Sequence, residues 1–292
     1  MSCLVEVEEL RYAYPQGRVA LDGITFHLRH GERVGLIGPN GAGKTTLLLA
    51  LAGLLDAFEG TISVAGCDLG TTAGRRRVHQ KLGVVFHNTD DQILNATVED
   101  DVAFGPLNLG LPTDEVRRRV TQALEQVGLP DTCRDRVPFH LSSGEKRRVA
   151  IAGVVAMQPE VVLMDEPTSD LDPRGRRELR RILDTLHITR IVSSHNLEFV
   201  LDTCDRALLL DEGQLRADGP VRQILADEEL MLRHGLEVPD RISAAERRTA
   251  AEARAAGLTL RPHPSHAHDH SDPHPHPHSE IELNHDSPLP HS

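Results

Sequence analysis

The strongest constraint on this chain is one stretch, Gly38-Pro39-Asn40-Gly41-Ala42-Gly43-Lys44-Thr45. It follows the apolar run 33–37 and opens a segment with helical spacing. G-x-x-x-x-G-K-[S/T] between a strand and a helix is the pattern of a phosphate loop. Its glycines let the backbone curl tightly, so that N–H groups converge on a phosphate beside the positive end of a helix. Lys44 adds a mobile point charge for the outer phosphates, Thr45 adds a hydroxyl suited to Mg2+, and Thr46 continues the same turn. The plainer reading is a Gly-rich turn that happens to hold a lysine. The full pattern in its proper setting outweighs that reading.

Around the loop, short apolar runs alternate with helical patterns, which predicts an α/β layered domain. Strands are expected at 33–37, 61–65, 82–86, 161–165, 190–193 and 207–211, and helices at 44–54, 115–127, 142–157 and 173–186. Asp172 before Pro173 is a favoured helix start. Residues 90–140 hold no strand-like run, so a helical subdomain is expected at about 90–157, within a folded body of 1–238. Residues 239–260 are rich in Ala, Arg and Glu and read as a helical linker. Residues 261–292 are mostly Pro, Ser, Asp and His, too poor in apolar groups to offset their ordering entropy, and are expected to be a disordered His-rich tail.

Val161-Val-Leu-Met-Asp165-Glu166-Pro167 reads as a buried strand ending in paired carboxylates. Asp165 suits a water-mediated hold on Mg2+, and Glu166 suits orientation and polarisation of an attacking water. Leu141-Ser142-Ser143-Gly144-Glu145 precedes a helix, with Ser142 and Glu145 at capping-box spacing. A capped helix start also suits an anion.

Taken in order, the phosphate loop, LSSGE, MDEP and Ser194-His195 resemble the ATP-binding-cassette (ABC) ATPases over about residues 4–235. The resemblance implies an ABC nucleotide-binding domain of the P-loop NTPase class that hydrolyses ATP with Mg2+ and dimerises head-to-tail around two ATPs. It also implies roles for single residues. Gly38 to Thr46 would cradle the nucleotide, and Ser142 and Gly144 would reach the γ-phosphate across the dimer interface. His195 would contact the γ-phosphate, and residues 169–172 would link the two sites. Tyr14 resembles the aromatic that stacks on adenine, with Tyr12 as the alternative. An edge-strand tyrosine and a strand-end histidine are their plain readings, raised only by the motif order. Two positions depart from the family pattern: His87 stands where a glutamine is usual, and Ser143 where the signature has its first glycine. Both imply altered turnover with ATP binding retained.

The stretches 85–92, 97–111 and 145–154 are most similar to the ATPase subunits of energy-coupling-factor transporters, especially the cobalt/nickel group. That resemblance implies a subunit powering import of Ni2+ or Co2+ through a transmembrane coupling subunit and a membrane substrate-binding component. Its ATPase partner is either a second copy or a second ABC ATPase. The alternatives are an ABC ATPase of another import system (vitamin or other metal), a soluble non-transport ABC ATPase, and a metal store whose cassette has become regulatory.

Composition narrows these choices. The formal charge of −12 and 3% aromatic content argue against a nucleic-acid partner. No apolar run reaches the roughly 18 residues needed to span a bilayer, and the first ten residues lack the basic start of a secretory leader. The expected location is therefore the cytoplasmic face of the membrane, held there by other subunits. Four scattered cysteines fit free thiols. Of 17 histidines, nine follow Arg261. Among them His266, His268 and His270 alternate, as do His274, His276 and His278, which makes them candidate ligands for a transition metal. Compositional drift in a solvated tail is the plain alternative.

Overall fold

Val161–Asp165 and Thr189–Ser193 are buried at every position, as strands covered on both faces must be. The computed structural model describes residues 3–255. In chain order its first elements are β1 (Val5–Ala13), β2 (Val19–Leu28), β3 (Arg33–Ile37), α1 (Lys44–Leu51), β4 (Glu59–Val64), β5 (Cys67–Asp68), α2 (Thr72–Val78) and β6 (Leu82–Val85). Next come α3 (Val98–Asn108), α4 (Thr113–Gln126), α5 (Ser143–Ala156), β7 (Val161–Asp165), α6 (Pro173–Thr185) and β8 (Thr189–Ser193). The last are α7 (Leu197–Thr203), β9 (Arg206–Asp211), β10 (Gln214–Pro220), α8 (Val221–Ala226), α9 (Glu228–Arg233) and α10 (Ala244–Ala255).

Two sheets result. An antiparallel sheet runs β2-β1-β4-β5, and a six-stranded sheet runs β10-β9-β3-β8-β7-β6, parallel except at its β10 edge. Alternate residues of the parallel strands feed two cores. Val34, Leu36, Leu163, Ile191, Leu208 and Leu210 pack toward α1 and the antiparallel sheet. Val162, Met164, Val192, Ala207 and Leu209 pack toward the helical side. The period of two along a strand thus places one apolar run in two cores at once. The fold is an α/β layered domain with a helical subdomain, in which α3, α4 and α5 pack on one another.

The expected strands all form within two residues of their bounds, and the segment from 90 to 140 contains helices only. Strands β1 and β2 escape a reading based on alternation. In β1 the buried positions are Val5, Val7 and Leu10, because Glu9 adopts φ +49° and the pairing with β2 shifts register between Val7 and Leu10. A bulge of this kind breaks the period of two. Helix α1 is shorter than expected and stops at Leu51, with Gly53 at φ +71° closing the turn, although the apolar run continues to Leu55. Helix α10 packs on α8. Arg222 pairs with Glu246, Arg254 pairs with Glu229, and Ala250 is buried. No helix among the described residues is long and apolar enough to cross a membrane.

Candidate functional site

The parallel strands deliver their C-terminal ends to one edge of the sheet, where open α/β sheets bind ligands. Strand β3 runs directly into the phosphate loop. Gly38 takes φ +148°, and a Cβ there would lie 1.9 Å from the Leu210 carbonyl oxygen. Gly43, at φ +106°, would meet the Ala20 carbonyl oxygen at 2.5 Å. Only glycine lets the backbone pass so close to these neighbours. The Lys44 ammonium donates to the carbonyl oxygens of Gly38 at 2.7 Å and Pro39 at 3.0 Å, so it lies folded along the loop. Burial pushes the Lys44 pKa down, against the opposing pull of Glu166 and Asp165.

Across the sheet edge, Asp165 ends β7 and is clamped from both sides. Ser193, at the end of the neighbouring β8, donates to one carboxylate oxygen at 2.7 Å, and Thr45 donates to the other at 2.8 Å. Glu166 follows with φ +45°, a conformation disfavoured for a side chain with Cβ. Its N–H bonds to the Ser193 carbonyl at 3.0 Å, and its own carbonyl accepts from the Ser169 N–H at 3.1 Å, which holds the turn. The Glu166 carboxylate lies 2.8 Å from His195 Nδ1 and accepts the His195 backbone N–H at 3.2 Å.

Tyr14, just past β1, bonds through its hydroxyl to Thr46 Oγ1 at 2.9 Å and meets Tyr12 edge-on at 5.2 Å. Tyr14, Asn40 to Thr46, Asp165 and Glu166 line one cleft of about 280 Å³. Tyr12 instead packs against the core.

Ser142 and Gly144 lie elsewhere. They line a separate cleft of about 430 Å³ together with Ser143, Glu145 and the loop Asp170-Leu171-Asp172. Ser142 caps α5: its hydroxyl accepts the Glu145 N–H at 3.3 Å, and the Glu145 carboxylate accepts the Ser142 N–H at 2.9 Å. Those bonds from Ser142, reinforced by Arg136 at 2.9 Å, hold the Glu145 carboxyl below its usual pKa. The described chain therefore unites the phosphate loop, paired carboxylates, Tyr14 and His195, and keeps the signature segment apart. The tail histidines His266, His268, His270, His274, His276 and His278 lie outside the described residues.

Three contributors were absent from the motif reading. Ser193 is one; a hydroxyl following the apolar pair Ile191-Val192 at a strand end was its only signal. Gln92 is another: it accepts the Phe86 N–H at 3.0 Å and donates to the Val84 carbonyl at 3.1 Å, while His87 stands exposed. The third is Arg147, 3% exposed, which donates at 2.8 Å to the carbonyls of both Phe86 and His87. Burial lowers its pKa, with Asp170 pulling the other way. Arg147 ties the segment after β6 to the first turns of the signature helix. Helical spacing contained the clue, since residue 147 shares a face with the buried Ile151 and Val154.

The family model for the ABC transporter matches residues 21–169. A protein of Gloeobacter violaceus assigned as an ABC transporter ATP-binding protein is 51% identical over 237 residues, covering 80% of this chain and 96% of that one. The energy-coupling factor transporter ATP-binding protein EcfA of Methanothermobacter thermautotrophicus is 45% identical over 240 residues, covering 81% of this chain and 77% of that one. Among solved structures, CbiO1 of Clostridium perfringens, part of the ABC transporter complex cbiONQ, superposes with a TM-score of 0.71 at 34% identity, over 87% of this chain and all of that one. With its phosphate loop, paired carboxylates and signature helix in the arrangement described above, the chain belongs to the ABC transporter ATP-binding family and is an ATPase.

Proposed function

We propose that this chain is the ATP-hydrolysing subunit of an energy-coupling-factor importer for a transition-metal ion, Ni2+ or Co2+. The observation that carries the reading is the division of the motif residues between two clefts. A head-to-tail pair, formed by two copies or with a second ABC ATPase, sets each phosphate loop against the Ser142 and Gly144 of its partner. Closure of that pair on two ATPs drives the membrane subunits. Likeness to EcfA and to a member of a cbiONQ complex supports the importer class, and the resemblance of residues 85–111 to the cobalt/nickel group supports the substrate.

Within one copy, Gly38 to Thr46 bind the phosphates and the Tyr14 ring offers a face to adenine. Thr45 and Asp165 suit Mg2+: they present hard oxygen donors 2.8 Å apart, and Mg2+ is commonly held by one or two carboxylates plus substrate phosphates. When bound, Mg2+ neutralises charge on the phosphate oxygens. Glu166 orients the attacking water and takes its proton, and His195 holds the Glu166 carboxylate and faces the γ-phosphate.

The chain sits at the cytoplasmic face of the membrane, peripheral to it. Of nine large apolar side chains exposed among the described residues, six lie between Phe86 and Phe139. This supports a docking surface for a transmembrane coupling subunit on the helical subdomain. The tail histidines chelate incoming metal loosely on that side.

Glu166→Gln tests the catalytic assignment. Hydrolysis should fall at least ~100-fold, while ATP binding persists and a dimer accumulates by light scattering. Hydrolysis at the wild-type rate would overturn the role of Glu166. Uptake of radiolabelled Ni2+ and Co2+ by cells with and without the protein tests the substrate, and equal uptake of both ions would remove the metal reading.

A further inference from the structure

We propose that Arg18 is a ligand of the nucleotide polyphosphate, a second cation beside Lys44. The assignment rests on the ATP reading above and extends it to a residue outside the recognised motifs.

Arg18 lies in the short connection between β1 and β2. There the Tyr14 N–H bonds to the Arg18 carbonyl at 2.9 Å and the Gly17 N–H to the Tyr14 carbonyl at 2.8 Å. One tight turn thus fixes Tyr14 and Arg18 relative to each other, and both line the nucleotide cleft. The guanidinium rests against the phosphate loop: Arg18 Nη2 is 3.6 Å from where a Cβ on Gly41 would stand.

Charge around the cleft points the same way. Its lining holds two cations, Lys44 and Arg18, facing two anions, Asp165 and Glu166. These cancel, whereas a nucleoside triphosphate brings about four negative charges. The Lys44 ammonium is already bonded to two loop carbonyls. The Arg18 guanidinium, by contrast, has no hydrogen bond or ion pair among the described residues. Elsewhere Arg118, Arg134 and Arg206 each grip a carboxylate. A planar fork of donors with no counter-ion, held at the rim of a phosphate loop, suits the non-bridging oxygens of a polyphosphate.

The test is binding of the non-hydrolysable analogue AMP-PNP with Mg2+ to the full chain, by calorimetry at about 50 mM and about 500 mM salt. Arg18→Ala should weaken binding roughly tenfold at the lower salt, with a smaller loss at the higher salt. Arg18→Lys should recover part of the loss. Arg18 is exposed, so both variants should keep the wild-type unfolding midpoint. Binding by Arg18→Ala within about twofold of wild type, or a loss of equal size at both salts, would overturn the assignment. Lys44→Ala separates this from the underlying reading. If that variant also binds like wild type, the phosphate-loop reading itself fails. If Lys44→Ala loses binding while Arg18→Ala keeps it, only the assignment of Arg18 falls.

Discussion

The cleft at the phosphate loop and the cleft at the signature helix are held in place by different means. At the phosphate loop the backbone sets position: Gly38 passes within van der Waals limits of Leu210 only because it lacks a Cβ, and Asp165 is buried between two hydroxyl donors. At the signature helix, long side chains set position: Glu145 against Ser142 and Arg136, Lys146 against Asp90 at 2.6 Å, and the buried Arg147 against the carbonyls of Phe86 and His87. A Cβ on Gly144 would meet no atom within 4 Å. One half is closed by its own fold, and the other faces open space that the proposed partner fills. A preformed half resists motion, whereas a half tethered by long side chains can shift relative to it.

Substitutions can break this contrast, beginning with the largest expected effect. Gly38→Ala forces a Cβ into the Leu210 carbonyl at a positive φ, and should destabilise the chain by roughly 4 kcal/mol or more, read as a lower urea midpoint. Arg147→Ala should cost about 3 kcal/mol, because a buried guanidinium that bonds two part-buried carbonyls is removed; the same unfolding curve measures it, and a change under about 1 kcal/mol would show that Arg147 is not the tie described. Gly144→Ala sharpens the comparison most, though its effect on stability is smallest. Placed in a helix with space around it, it should leave stability unchanged or raise it by about 0.5–1 kcal/mol, yet slow ATP hydrolysis at least ~10-fold where the proposed ATPase partner approaches. Unaltered hydrolysis in that variant would argue against the proposed head-to-tail site.

The site was legible where local stereochemistry sufficed. The phosphate loop, the MDEP strand end and the Ser142 cap each consist of residues adjacent in the chain, and each depends on torsion, capping or alternation within a few positions. Arg147 and Ser193 were missed for the opposite reason, since their partners lie 60 and 28 positions away. The segment around His87 shows both sides. Sequence marked His87 as unusual, but only packing turns the neighbouring Gln92 back onto Val84 and Phe86.

By itself, then, the sequence determined a phosphate loop between a buried strand and a helix, a second strand ending in paired carboxylates, and a capped signature helix, because these follow from short-range sterics and hydrogen bonding. Tertiary structure alone decided that Asp165 is gripped by Thr45 and Ser193, that a bulged β1 brings Tyr14 and Arg18 to the same cleft, and that Ser142 and Gly144 open into another. Those outcomes depend on strand order and register, which bring distant residues together and which no local pattern encodes.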